Sequence, residues 1–378
     1  MSHPGLFWTI LFFLLAIGPL IFVHEMGHYW VGRWFGVKAE VFSIGFGREL
    51  FGWTDRRGTR WKVAPLPLGG YVRFAGDMNP ASQPSREWLT MPAEERQRTF
   101  QAKPLWQRFL IVAAGPLTNF LFAIAIFTIL LKAYGEPFTP PVVGTIVPNS
   151  AAAEAGLKPG DRLLRVAGTS LNRFEDIQPV VLLQAGRKLR VEGLRNGQPF
   201  ATEATIKMVE VKDRFGNRGR IGLLGVGPGA PAYRPISLLE APRAAVKECW
   251  LRVTMTLQGL GQIIVGQRSV RELGGPLQIA KLSGEQATLG FVNFIVFVAV
   301  VSINLGFINL LPVPMLDGGH LLFYAIEGVR RRPLPPRAVE WAFRTGLAAL
   351  LVLMIFVTLN DLASFGLWSK LGGLIGRS

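Results

Sequence analysis

One cysteine, Cys249, is all the sequence holds. An intramolecular disulfide is therefore excluded, and so is a zinc site built from thiolates. With no histidine near it in sequence, Cys249 reads as a buried structural thiol, not a nucleophile. Histidine is almost as scarce, at four in 378 residues, so two of them four positions apart carry weight. Acids are few as well: 25 Asp and Glu face 41 Lys and Arg, a net charge of +16. That excess would suit a polyanion, yet no base-stacking or groove-reading motif accompanies it, and no nucleic-acid partner is expected. No Lys or Arg precedes the first apolar run and no small-x-small pattern follows it, so the run is expected to be a retained span and not a cleaved signal peptide. Repeated or inverted span patterns are missing too, which argues against a transporter.

Apolar sequence is what the chain has in quantity. Hydrophobic residues make up 49% of it. Long runs occupy residues 6–30, 108–131 and 291–311, and a fourth at 346–359 reaches spanning length with Trp341 and Phe343. The fold expected is a polytopic α-helical membrane protein with about four transmembrane helices. The first covers 1–32, the second 106–133, the third 289–320 with a broken end, and the fourth 338–362. Thirteen Lys and Arg against seven Asp and Glu lie between Val31 and Arg108, and Arg330, Arg331, Arg332 and Arg337 follow the third run. With four spans these two connections share a side, and the positive-inside rule makes that side cytoplasmic. The basic excess then answers to topology and to anionic headgroups of the lipid bilayer. The stretch 250–265 is apolar but contains Arg252, Gln258 and Gln262. Residues 233–288 are accordingly read as an interfacial amphipathic helical segment.

The chemistry is concentrated in His24-Glu25-Met26-Gly27-His28. On a helix, positions i and i+4 share a face, so both imidazoles can reach one metal ion, with Glu25 beside a metal-bound water as general base. Ionisable groups inside an apolar span are costly and mark function. From the start of the run to His24 is about 27 Å of helix, near the far edge of a ~30 Å hydrocarbon core. A catalytic zinc keeps three protein ligands and one open position. Asp317, the only acid between Glu285 and Glu327, is the candidate for the third; its alternative is a helix-capping carboxylate in a Gly turn. Pro312, Pro314, Gly318 and Gly319 break the helix there, tolerable at membrane depth beside protein or a water-filled cavity. Asn309 has two readings, a hydrogen bond to an extended substrate or one between helices.

Residues 33–105 are expected to form a cytoplasmic loop. Trp61–Asp77, with Gly69 and Gly70, reads as a membrane-associated β-hairpin whose free edge could take an unwound substrate by strand addition. Ser82–Gln101 reads as a mobile loop. Residues 141–228 are expected to be one inserted PDZ-like α+β domain on the extracytoplasmic side. Its late strand, with Ile221, Gly222 and Leu223, either lines a peptide groove or belongs to a domain that serves as spacer or lid.

Taken together these residues resemble the site-2 protease family of intramembrane zinc metalloproteases, in its bacterial sigma-factor-regulating branch. His24-Glu25-x-x-His28 matches the first family motif, and Asn309-x-x-Pro312-x-Pro314-x-Leu316-Asp317-Gly318 the second. Gly69-Gly70-Tyr71-Val72, Gly115-Pro116-Leu117-x-Asn119 and Gly274-Gly275-Pro276 resemble further landmarks. The resemblance implies one zinc ion on His24, His28 and Asp317, with Glu25 catalytic. It implies a bacterial inner-membrane endopeptidase with its active site near the cytoplasmic side. Substrates would be single-span proteins, an anti-sigma factor or a signal-peptide remnant, already trimmed by an upstream site-1 protease. The alternative from another class is a catalytically silent scaffold whose PDZ domain holds peptide tails.

Overall fold

The computed structural model describes residues 5–76, 91–212, 218–272 and 274–364. Its first half runs α1 (Leu6–Trp34), β1 (Ala39–Phe46), β2 (Phe51–Thr54), β3 (Arg60–Val63), β4 (Leu66–Phe74), α2 (Ala93–Gln97) and α3 (Leu105–Tyr134). A strand-rich insertion follows. The chain then closes with α6 (Glu240–Ile264), α7 (Pro276–Thr288), α8 (Phe291–Asn309), α9 (Asp317–Arg330) and α10 (Pro336–Ser364). Two compact units result: Met1–Ile129 with Pro242–Ser378, and Leu130–Ala241.

In the larger unit, α1, α3, α8 and α10 are long and apolar enough to cross a membrane. Their apolar residues run all the way round because lipid, not water, takes the outer face. On α1 the large side chains of Phe7, Trp8, Ile10, Leu14 and Leu15 are exposed, whereas Ala16, Leu20 and His24 are buried one turn apart. Helix association without a hydrophobic drive relies on small residues at the contact. Gly27 of α1 supplies one: a Cβ there would fall 2.4 Å from the Ala114 carbonyl oxygen of α3. The segment 233–288, expected as one interfacial element, holds two long helices. Neither α6 nor α7 ranks among the four apolar ones, and Thr256 of α6 donates a hydrogen bond to Asn304 Oδ1 of α8 at 3.0 Å.

The hairpin expected around Pro65 is not formed. β3 and β4 do not pair with each other; they flank β1, parallel on one side and antiparallel on the other, in a sheet ordered β2-β3-β1-β4. The hairpin is β2 with β3. The reason is local: Pro65 has no N–H to give a tight turn ladder, and the Ala64 N–H is already donated to the Ile44 carbonyl at 2.8 Å. Trp61 locks this sheet to α1, stacking on Phe42 at 4.4 Å and meeting Tyr29 edge-on at 5.3 Å. Each such pair adds about 0.5–1.5 kcal/mol beyond its buried area. Of the loop expected at 82–101, residues 82–90 lie outside the described part. The remainder is anchored: α2 forms, and Phe100 is buried, stacked on Phe74 at 5.7 Å. An apolar side chain with a pocket overrides the polar composition around it.

The inserted unit contains β5 (Glu136–Phe138), β6 (Val143–Ile146), α4 (Ala151–Glu154), β7 (Arg162–Val166) and β8 (Thr169–Ser170). After α5 (Ile177–Leu182) come β9 (Lys188–Arg195), β10 (Gln198–Thr205), β11 (Lys207–Lys212), β12 (Arg218–Leu223), β13 (Val226–Pro228) and β14 (Ala232–Arg234). It is an α+β domain with its own core, in which Leu163, Val166, Val191 and Ile206 are wholly enclosed. The unit is wider than 141–228 because β5 pairs with β14, and Arg234 of β14 bonds the Glu136 carboxylate at 2.7 Å, drawing both ends of the domain into one structure.

Candidate active site

α1 carries His24 and His28 on one face, and α9 begins at Asp317. Between α8 and α9 the chain turns sharply: Val313 N–H meets the Leu311 carbonyl at 2.7 Å and Leu316 N–H the Val313 carbonyl at 3.1 Å. Met315 sits at φ +86°, a left-handed conformation rare for a residue with a side chain and a form of strain held by surrounding structure. Gly318 and Gly319 have no room for a Cβ, which would lie 2.2 Å from the Leu311 and 2.5 Å from the Val313 carbonyl oxygen. This turn aims Asp317 at the imidazoles instead of leaving it as a cap.

His24 Nε2 lies 3.1 Å and His28 Nε2 3.5 Å from Asp317 Oδ2, and the two Nε2 atoms are 3.3 Å apart. The three donor atoms fall within 4.8 Å of one another. Asp317 Oδ2 is buried with no well-formed hydrogen bond among the described residues. An orphaned carboxylate oxygen facing two imidazoles fits a cation, and two His with a carboxylate and one free position is a donor set of catalytic zinc. His28 Nδ1 donates to the Ile111 carbonyl at 2.9 Å, which leaves Nε2 with its lone pair. Gly115 makes space for that ring: a Cβ there would fall 2.2 Å from His28 Nε2.

Glu25 is buried and lines the same cavity of about 430 Å³ as His24, His28 and Asp317. A Cβ on Gly70 would fall 2.9 Å from the Glu25 Cγ. Gly69, Gly70 and Asn309 line the cavity, beside the apolar walls of Ile21, Phe46, Tyr71 and Leu350. β4 pairs only with β1 among the described strands, so its other edge is open. Pro312 is exposed and is not part of the lining. Ile221, Gly222 and Leu223 lie on β12 in the inserted unit. There a Cβ on Gly222 would meet the Val181 carbonyl of α5 at 2.2 Å, so β12 and α5 leave no gap for an added strand at that point.

The reading of sequence alone assigned no role to the side chain of Asn119, fully buried on α3 with Nδ2 3.1 Å from His24 Nδ1, or to the Ile111 carbonyl, or to His320, which lines the cavity. Asn119 had a signal: it is the only amide or charged residue between Arg108 and Lys132. A backbone carbonyl has none.

Comparison with known proteins gives the family. The family model of peptidase family M50 matches residues 12–353. A protein of Rhizobium meliloti named as a zinc metalloprotease is 45% identical over 363 residues, 94% of this chain and 96% of its own length. One of Agrobacterium fabrum with the same kind of name is 45% identical over 357 residues, covering 93% and 95%. Metalloprotease MmpA of Caulobacter vibrioides is 39% identical over 386 residues, covering 96% and 97%.

Proposed function

The chain belongs to peptidase family M50, the site-2 protease family, and is a membrane zinc metalloprotease; on that premise we propose that it cleaves single-span membrane proteins in or near the bilayer, with His24, His28 and Asp317 holding one zinc ion and Glu25 as the base. The observation that carries the assignment is the convergence of two Nε2 atoms and an orphaned Oδ2 from opposite ends of the chain, with Glu25 on the same cavity.

When bound, the zinc supplies Lewis acidity, polarising a carbonyl and acidifying a water. The residues do the rest. An extended substrate lies along the free edge of β4, where Gly69 and Gly70 let its backbone come close to Glu25. Asn309, at the end of α8, holds a substrate amide. Glu25 takes a proton from the attacking water and delivers it to the departing nitrogen as the C–N bond breaks, so one water is consumed and a carboxylate and an amine leave. The apolar walls keep bulk water from the site, and the broken segment after α8 provides backbone groups for an unwound helix. The substrate is proposed to be an anti-sigma-factor-like protein or a signal-peptide remnant, trimmed beforehand by another protease. The active site is proposed to face the cytoplasmic side of a bacterial inner membrane and the PDZ-like domain the other. The closure of β12 against α5 at Gly222 favours a filtering role for that domain over peptide capture.

Purified wild type and Glu25→Gln, each assayed on a tagged single-span substrate and for zinc content, test the reading. Wild type cleaves, and the variant keeps its zinc while cleavage falls by at least about a thousandfold. Full turnover by the variant would remove Glu25 from the mechanism. Absence of zinc from the wild type would point instead to a silent scaffold.

A further inference from the structure

Both imidazoles turn Nε2 toward Asp317, so in each ring Nε2 must carry the lone pair if a metal is to bind, and Nδ1 must carry the proton. His28 satisfies this requirement through the Ile111 carbonyl, which only accepts. His24 has a different neighbour. Its Nδ1 faces the side-chain amide of Asn119 across 3.1 Å, with Nδ2 the nearer atom, while Asn119 Oδ1 is buried with no partner among the described residues. An NH2 group cannot accept a proton from Nδ1–H. Oxygen and nitrogen of an amide are nearly isosteric, so a half-turn of the group exchanges them without altering the packing and gives the orphaned Oδ1 a donor.

We propose that Asn119 is the positioning residue for His24, its Oδ1 accepting the Nδ1–H of the ring and so fixing the tautomer and orientation that present Nε2 to the metal. The proposal rests on the reading of His24 as a zinc ligand. α3 holds the amide firmly: the Asn119 side chain is fully buried, the Ser302 hydroxyl of α8 donates to the Asn119 carbonyl at 2.8 Å, and a Cβ on Gly306 of α8 would fall 3.3 Å from Asn119 Cβ. Asn119 therefore sits where α1, α3 and α8 meet. The two imidazoles are oriented by unlike partners from the same helix α3, a main-chain carbonyl for His28 and a side-chain amide for His24. Only the second can be changed by substitution.

The experiment measures the zinc dissociation constant of the purified full-length protein by competition with a chromophoric chelator, alongside the visible spectrum of the cobalt-substituted form. Asn119→Leu keeps the branched shape, with bulkier ends, but removes the acceptor; Asn119→Asp keeps an acceptor. Asn119→Leu is expected to weaken zinc binding about 10–100-fold, the range for loss of an outer hydrogen bond to a ligand, and to change the cobalt spectrum. Asn119→Asp is expected to stay within about threefold of wild type or bind tighter, because a carboxylate accepts from Nδ1–H at least as well as an amide. Because Asp matches the shape of Asn, it is the changed cobalt spectrum of Asn119→Leu, or tighter binding by Asn119→Asp, that separates the proposal from a simple packing role. Zinc binding by Asn119→Leu within threefold of wild type, or an Asp variant as weak as the Leu variant, would overturn the proposal. His24→Ala is run beside them: loss of zinc in that variant supports the ligand reading, and retention at wild-type affinity overturns the ligand assignment itself.

Discussion

Two carboxylates, one in each unit, show how differently the same group can be used. Asp161 in the inserted domain is 1% exposed, and both its oxygens have partners. Arg195 meets both its oxygens, at 2.8 and 2.7 Å, and the Lys158 N–H donates at 2.8 Å. Asp317 is half-buried, yet its enclosed Oδ2 faces two imidazoles without a well-formed hydrogen bond among the described residues. A carboxylate whose lone pairs are all used holds a fold together; one left open has capacity for a ligand.

Substituting the two acids separates these roles most sharply. Asp317→Ala should abolish cleavage and lower zinc affinity well beyond the ~100-fold typical of an outer-shell loss, while the unfolding temperature of the protein moves little. Asp161→Ala should leave zinc content untouched and destabilise the inserted unit by about 2–4 kcal/mol, seen as faster hydrogen exchange in β7 and β9. That figure is below the range for a fully buried pair because Arg195 keeps 33% of its side chain in water. A shared outcome for the two variants would erase the distinction.

Two glycines extend the contrast. Gly115→Ala puts a methyl 2.2 Å from His28 Nε2, so it should displace that ring and, on the proposed assignment, lower zinc affinity about tenfold or more, although Ala favours a helix by about 1 kcal/mol over Gly. Gly222→Ala drives the same methyl into the Val181 carbonyl and should cost about 1–3 kcal/mol of stability in the inserted unit with zinc unaffected. Chelator competition and hydrogen exchange on both proteins would distinguish them.

The smallest expected effect is that of pH on the inserted unit. Burial pushes the Asp161 carboxyl up, but hydrogen bonds from Arg195 and from the Lys158 backbone, with their charges, outweigh it and hold the group below the usual carboxylate range. A pKa lower in the folded than in the unfolded state adds stability that is complete above the unfolded value of about 3.9 and disappears as pH falls through the folded one. Protection of β7 and β9 amides should therefore be flat down to about pH 4 and decline below it. A decline beginning near pH 6 would assign the acid sensitivity to another group.

Much of the centre was legible because its signals are periodic or isolated. His24 and His28 are one helical turn apart by count alone, and Asp317 is a lone acid in a Pro-Gly break. The partners of those side chains were not legible. Ile111 and Asn119 become neighbours of the histidines only where α3 crosses α1 beside Gly27, a contact with no local sequence code. Strand partners suffered in the same way: β3 and β4 are adjacent in sequence, but β1, from a less patterned stretch, lies between them. That a separate α+β unit is inserted here was readable from its strands and turns. Its true ends were not, since β5 and β14 are three residues each and include Pro137.

The alignment of Ala16, Leu20 and His24 down one face of α1 makes that helix a camshaft. One residue inserted between Leu20 and His24 would turn the motif by about 100° and swing both imidazoles away from Asp317. Four would bring the face nearly back but shift the motif about 6 Å along the axis. No insertion of a few residues changes its depth alone, so the length of the apolar half of α1 and the position of the chemistry cannot drift independently in small steps.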